Sequence, residues 1–169
     1  MITYGCKLGY EGPLERIVAT NLSTAQLDPK SMTKMLQDDL QLRRVSKLLS
    51  TFPFICSPLG FVPKPNRKLR CIHHLSHPRK SGTNAGIAKD YGYLQYARIH
   101  DVCNQILIAG KGAFIMKRDW EAAFRNVAVS LQDRWLLGFR WNDTFYTECC
   151  LLFGLQTAPF IFNLFAEAL

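Results

Sequence analysis

Met32, Leu36 and Leu40 recur every four residues behind Asp28-Pro29, with Asp38 and Asp39 on the outer flank. That spacing gathers the apolar side chains on one face, Asp28 suits an N-cap and Pro29 a first turn, so a helix over 29–42 is predicted. Residues 1–27 hold no sustained period and carry glycines at 5, 9 and 12 and a proline at 13, which predicts an irregular arm. Prolines at 53, 58, 63 and 65 exclude a helix, while Leu59, Phe61 and Val62 favour extended chain. Pro65-Asn66 then turns into Lys68–His73, giving a β-hairpin with a basic tip of Lys64, Arg67, Lys68 and Arg70. The Gly-, Ser-, Asn- and Lys-rich stretch 77–92 is expected to be a mobile loop.

Ile99, Val102, Cys103, Ile106 and Leu107 form an amphipathic helical stripe that Gly110 or Gly112 ends. Ala113–Lys117 is a short apolar run, expected to be a strand that delivers Asp119 just beyond its end. A short helix over 121–126, strands at Arg134–Trp141 and Phe145–Leu151 joined through Asn142-Asp143, and a helix over 158–169 complete the pattern. Helices and antiparallel strands alternate without βαβ regularity, so the class is α+β.

Composition narrows the class further. With 169 residues, 48% hydrophobic and 20% charged, the chain can bury one core. Its net charge of +8 attracts polyanions without naming a reaction. No apolar run approaches the roughly 18 residues of a membrane span, and the start lacks a secretory pattern. A soluble intracellular protein without a membrane partner is expected, its compartment unassigned. The six cysteines include no C-x-x-C pair and read as thiols, mostly buried. His73, His74 and His77 beside Cys71 invite a zinc reading, but His73 and His74 face opposite sides of a strand and no second ligand cluster follows, so zinc is not expected.

Three segments in fixed order carry a resemblance: SPLGFVPKPNRKLRCIHHLS at 57–76 followed by SGTNAGI, GAFIMKRDWEAAF at 112–124, and LLFGLQTAPFIF at 151–162. Together they resemble the fingers and palm of reverse transcriptases. The wording HHLSHP, KRDWEAAFR and LLGFRW is most similar to DIRS-like, tyrosine-recombinase retrotransposons. The resemblance implies the fingers and partial palm of a right-hand polymerase. Residues 1–50 would be an N-terminal arm and helix, 51–110 a fingers-like region with the basic hairpin, and 111–169 a partial palm.

The same resemblance implies roles. Asp119 would be the first catalytic aspartate, binding Mg²⁺ together with the Trp120 carbonyl. Lys64 and Arg70 would hold the triphosphate of a deoxynucleotide, and Phe124 would sit beneath its sugar and exclude a 2′-hydroxyl. Gln156, with Gly154 and Pro159, would pack against the nascent base pair and template, and Arg67 and Lys68 would touch template phosphates. Arg125 stays open between a phosphate contact and the surface. RNA/DNA template-primer and deoxynucleoside triphosphates are the implied partners. Two departures matter: Leu151-Leu152-Phe153-Gly154 stands where the family commonly has Leu-Pro-Phe-Gly, and no Tyr/Phe-x-Asp-Asp motif occurs. A truncated palm is therefore expected, with apolar faces left uncovered on 113–117 and 158–169, association with the missing palm, thumb and RNase H segments of a longer product, and little polymerisation by this chain alone, because one aspartate does not hold two Mg²⁺ ions. A non-catalytic nucleic-acid-binding module and a non-functional retroelement remnant are the alternatives.

Overall fold

The computed structural model describes residues 4–48, 54–63, 69–117 and 119–167. Its strands are β1 (Ile17–Val18), β2 (Val45–Lys47), β3 (Ile55–Cys56), β4 (Leu59–Pro63), β5 (Leu69–His73), β6 (Gly138–Trp141) and β7 (Thr144–Glu148). Five of them form a mixed sheet in the order β1-β3-β6-β7-β2, and β4 and β5 form a separate antiparallel hairpin. Helices α1 (Pro29–Gln41), α2 (Ile99–Ala109) and α3 (Ala158–Ala166) complete the fold. No helix among the described residues is long and apolar enough to cross a membrane.

Helix α1 begins where expected, with the Asp28 carboxylate accepting from the Ser31 backbone N–H at 3.0 Å. It buries Met32 and Leu36. These meet Val45, Leu59, Phe61, Phe139, Trp141 and Tyr146 in one apolar cluster. A second cluster joins Leu8, Ile55, Leu75, Leu136, Leu137, Leu151, Leu155 and Ile161. Gly138 makes the close approach of β6 to β3 possible: a Cβ there would lie 2.7 Å from the Ile55 carbonyl oxygen.

Two expectations need correction and two are filled in. The arm is irregular in outline yet belongs to the core: Leu8 is fully buried, and Cys6 bridges to Val129. Arg134–Leu137 is a 3₁₀ turn rather than the first half of a strand. Leu136 and Leu137 are adjacent and both buried, which a helical turn allows and a strand with one covered face does not. The 77–92 stretch is held in place by a 3₁₀ turn over Thr83–Gly86, with Thr83 buried and its hydroxyl donating to the Leu136 carbonyl at 2.5 Å. Finally, Ala113–Lys117 is not a strand: none of the described strands pairs with it, and a strand without a partner forms no ladder.

That last segment and α2 are exposed along their lengths. Ile99, Leu107, Ile108, Phe114, Ile115 and Met116 all present their side chains to solvent. On α3, Ala158 and Ile161 are buried while Leu164 is exposed, so its apolar face is covered only in part.

Candidate functional site

A cavity of about 680 Å³ opens between α1, the β4–β5 hairpin and the β6–β7 face of the sheet. Its walls carry Met32, Leu36, Phe139 and Trp141, and its lining also includes Arg70, Arg125, Glu148, Phe153 and Gly154. Residues from all three resembling regions, or adjacent to them in sequence, thus reach one opening. Arg70 is exposed on β5. Lys64, Arg67 and Lys68, at the hairpin tip, lie outside the described residues.

Phe124 is half-buried in the 3₁₀ turn Ala123–Asn126. Its ring packs against Phe153 at 4.8 Å and Phe162 at 5.6 Å between centroids. Trp120 stands edge-on to the same Phe162 at 5.8 Å. The four rings tie the segment after Asp119 to the 151–162 block, with contacts typical of offset or edge-to-face aromatic pairs. Phe153 itself is exposed. Sequence reading took Phe153 only as part of a turn and missed this partnership.

Arg125 is neither a free phosphate contact nor a surface residue. Its guanidinium donates to Glu148 at 2.5 Å and to Asp39 at 3.0 Å, and Arg44 approaches the same Asp39 at 3.8 Å. Glu148 is buried at the end of β7, where Tyr146 and Thr147 on the two faces of the strand are buried as well. Burial pushes its carboxyl up to about 7, against the opposing pull of Arg125. Burial works against the charge of Arg125 as well, yet Glu148 and Asp39 hold the guanidinium protonated. No local signal singles out Glu148, because both faces of β7 are buried at this end.

His73, also in the lining, is buried with Nε2 3.1 Å from the Gly138 carbonyl and no partner on Nδ1. Burial lowers its pKa to about 4, so the ring is neutral, with Nε2–H as the donor. The Nε2–H bond ties His73 to β6.

Gly154 has φ +92°, a left-handed backbone that the turn before α3 requires. Asn84 clamps this turn: its amide donates to the Gly154 carbonyl at 2.7 Å and its oxygen accepts from the Gln156 backbone N–H at 3.0 Å. The Gln156 side-chain amide donates to the Ala88 carbonyl at 3.0 Å, so this donor is engaged within the protein. Pro159 occupies the first turn of α3 and is half-buried. Asn84 was quoted in the sequence block but not singled out, since nothing local marks it as a clamp.

Asp119 is exposed and lies outside the cavity lining. Among the described residues no group of three His, Cys, Asp or Glu side chains could hold a metal ion. Asp119 and the Trp120 carbonyl alone do not fit a pair of Mg²⁺ ions, which needs several oxygen ligands. No chemical step through magnesium follows from these residues.

No protein-family model and no curated protein matches the chain. Solved structures do. The protease-reverse transcriptase of prototype foamy virus, in its native form, superposes with a TM-score of 0.66 at 16% identity over 96% of this chain and 20% of that one. A mutant of the same protein gives 0.65 at 18% identity, covering 93% and 19%. A foamy viral protease-reverse transcriptase in complex with RNA/DNA hybrid gives 0.65 at 14% identity, covering 95% and 20%. The chain has a reverse-transcriptase-like fold and spans about a fifth of the length of these proteins.

Proposed function

We propose that the chain is a fingers and partial-palm fragment of a DIRS-like retroelement reverse transcriptase, whose parent reaction is Mg²⁺-dependent, RNA-templated DNA synthesis. The observation that supports the reading is the meeting of Arg70, Phe153 and Gly154 around one opening, with the Phe124 ring packed on Phe153 behind it. A guanidinium at this opening suits a triphosphate, and an aromatic ring beside it suits a deoxyribose. Lys64 and Arg70 would bind the triphosphate, Phe124 the sugar, and Gly154, Gln156 and Pro159 the base pair and template; Arg67 and Lys68 would meet template phosphates. Asp119 would contribute one carboxylate to a metal pair, and the others must come from outside the described residues. The 169-residue chain is therefore expected to bind template-primer and to polymerise little.

Anisotropy of a labelled RNA/DNA hybrid tests this reading. Binding should weaken steeply with salt, as neutralised phosphates release counterions. Lys64→Ala/Arg70→Ala should lower affinity by about tenfold or more, while Asp119→Ala leaves it unchanged. Equal affinity for the double variant and the parent chain would sink the proposal. Primer extension that needs Mg²⁺ and is lost in Asp119→Ala would show that the chain itself catalyses.

A further inference from the structure

Outside the cavity, residues 89–98 (KDYGYLQYAR) carry aromatic and cationic side chains that the fold leaves unused. The segment is pinned at both ends. At its start the Gln156 side-chain amide donates to the Ala88 carbonyl at 3.0 Å, and Tyr91 stands edge-on to Phe160 at 6.4 Å between centroids. At its end the Asp101 carboxylate accepts from the Arg98 backbone N–H at 2.7 Å as α2 begins. Between these anchors residues 93–98 form neither helix nor strand, and Leu94 is half-buried. Tyr93 and Tyr96 stand 81% and 68% exposed, so neither ring serves the core.

Charge and shape then select a partner. Arg79, Lys80, Lys89 and Arg98 are exposed, and Asp90 is the single carboxylate among residues 77–98. None of the four cations has an ion-pair partner among the described residues. This excess of positive charge attracts a polyanion. A duplex keeps its base faces in its own stack, so it offers phosphates to the cations and nothing to the rings. An unpaired strand offers both, and base–aromatic stacking needs no particular sequence. Three residues of extended chain place the Tyr93 and Tyr96 backbones at most about 10 Å apart, close enough for neighbouring bases of one strand.

We propose that residues 89–98 form a binding site for a single-stranded polynucleotide, with bases stacked on Tyr93 and Tyr96 and phosphates on Lys89 and Arg98. The site shares no residue with the opening assigned to the triphosphate. Because the Ala88–Gln156 bond joins it to the turn at Gly154, the bound strand would be the unpaired part of a template approaching that turn. That role rests on the polymerase reading, whereas the binding rests on these residues alone.

Anisotropy of a labelled oligouridylate tests the site. Tyr93→Ala/Tyr96→Ala should lower its affinity about tenfold or more, while Tyr93→Phe/Tyr96→Phe, which keeps both rings, should bind as the parent chain does. Lys89→Ala/Arg98→Ala should weaken binding and flatten its salt dependence. A blunt RNA/DNA hybrid should bind the tyrosine variants and the parent chain equally, so failure of this site and failure of the hybrid reading are separate results. Fluorotyrosine labelling adds a second readout by ¹⁹F spectroscopy. The Tyr93 and Tyr96 signals should shift with oligouridylate, while buried Tyr146 and Tyr4, which is 83% exposed outside this segment, stay fixed. Circular dichroism establishes that the variants fold. Unchanged affinity in the folded alanine variant, loss of affinity in the phenylalanine variant, an equal loss on the blunt hybrid, or equal movement of Tyr4 overturns the proposal.

Discussion

Arg125 shows how one buried charge sets the chemistry around it. Glu148 is buried at an end of β7 whose two faces are both covered, and Arg125 makes that placement tolerable. Arg125→Met should cost about 3 kcal/mol in urea unfolding, because it strands Glu148 in the interior. Adding Glu148→Leu should restore most of the loss, since an apolar pair needs no compensation. Two of the shifted groups in the cavity, His73 and Glu148, act oppositely with pH. His73 is depressed from 6.5 to about 4, so the unfolded chain takes up a proton first and stability is lost as pH falls through that window. Glu148 is raised from 4.5 to about 7, so its contribution is present at low pH and is lost as pH rises through that interval. Between pH 4.5 and 6.5 the slopes oppose one another. Glu148→Gln removes one of them, and its unfolding midpoint in urea should then climb with pH over this range; a flat or falling profile would contradict the assignment to His73.

At the scale of elements, the turn before α3 depends on a loop about 70 residues earlier in the chain. Asn84 makes two hydrogen bonds to that turn, and Gly154 supplies the positive φ. Asn84→Ala should lower stability by about 1–2 kcal/mol, because two polar groups of the turn lose their partner. Gly154→Ala should cost about 1 kcal/mol through backbone strain, lowering the thermal midpoint by roughly 2–4 °C. Its added methyl would lie 3.5 Å from the His73 carbonyl, an ordinary contact, so a much larger loss would indicate a cause other than φ. The helices at 29–41 and 99–109 and the Asn142-Asp143 turn were legible in the sequence because their signals are local. Asn142 and Asp143 have φ 44° and 56°, the left-handed pair these residues tolerate. The Arg134–Leu137 turn was not legible, because an apolar pair reads equally as strand or helix until its burial is known.

Across the whole molecule, α2 and residues 113–117 form an apolar surface that no described element covers. Ile99, Leu107, Phe114 and Ile115 are each more than seven-tenths exposed. Large apolar side chains exposed in this number favour association. Leu107→Lys/Ile115→Lys should reduce self-association in sedimentation velocity while leaving the unfolding midpoint unchanged, because both side chains are solvated. A fall in that midpoint would mean that the segment packs somewhere in solution.

The sequence by itself determined the α+β class, the order of most elements and the blocks that resemble a reverse transcriptase, because these depend on local period, turn chemistry and residue type. It also identified Arg70, Asp119, Phe124 and Gln156 as candidates. Only the tertiary structure decided that Arg125 is spent on Glu148 and Asp39, that Asn84 holds Gly154 and Gln156, and that Phe153 meets Phe124. Partners 23, 86 and about 70 residues apart leave no periodic trace in the chain. The irregular arm makes the same point, since Leu8 enters the core through contacts with distant segments rather than through any pattern of its own. Local signals fix which element forms, and the burial of one element against another fixes which side chains remain free to act.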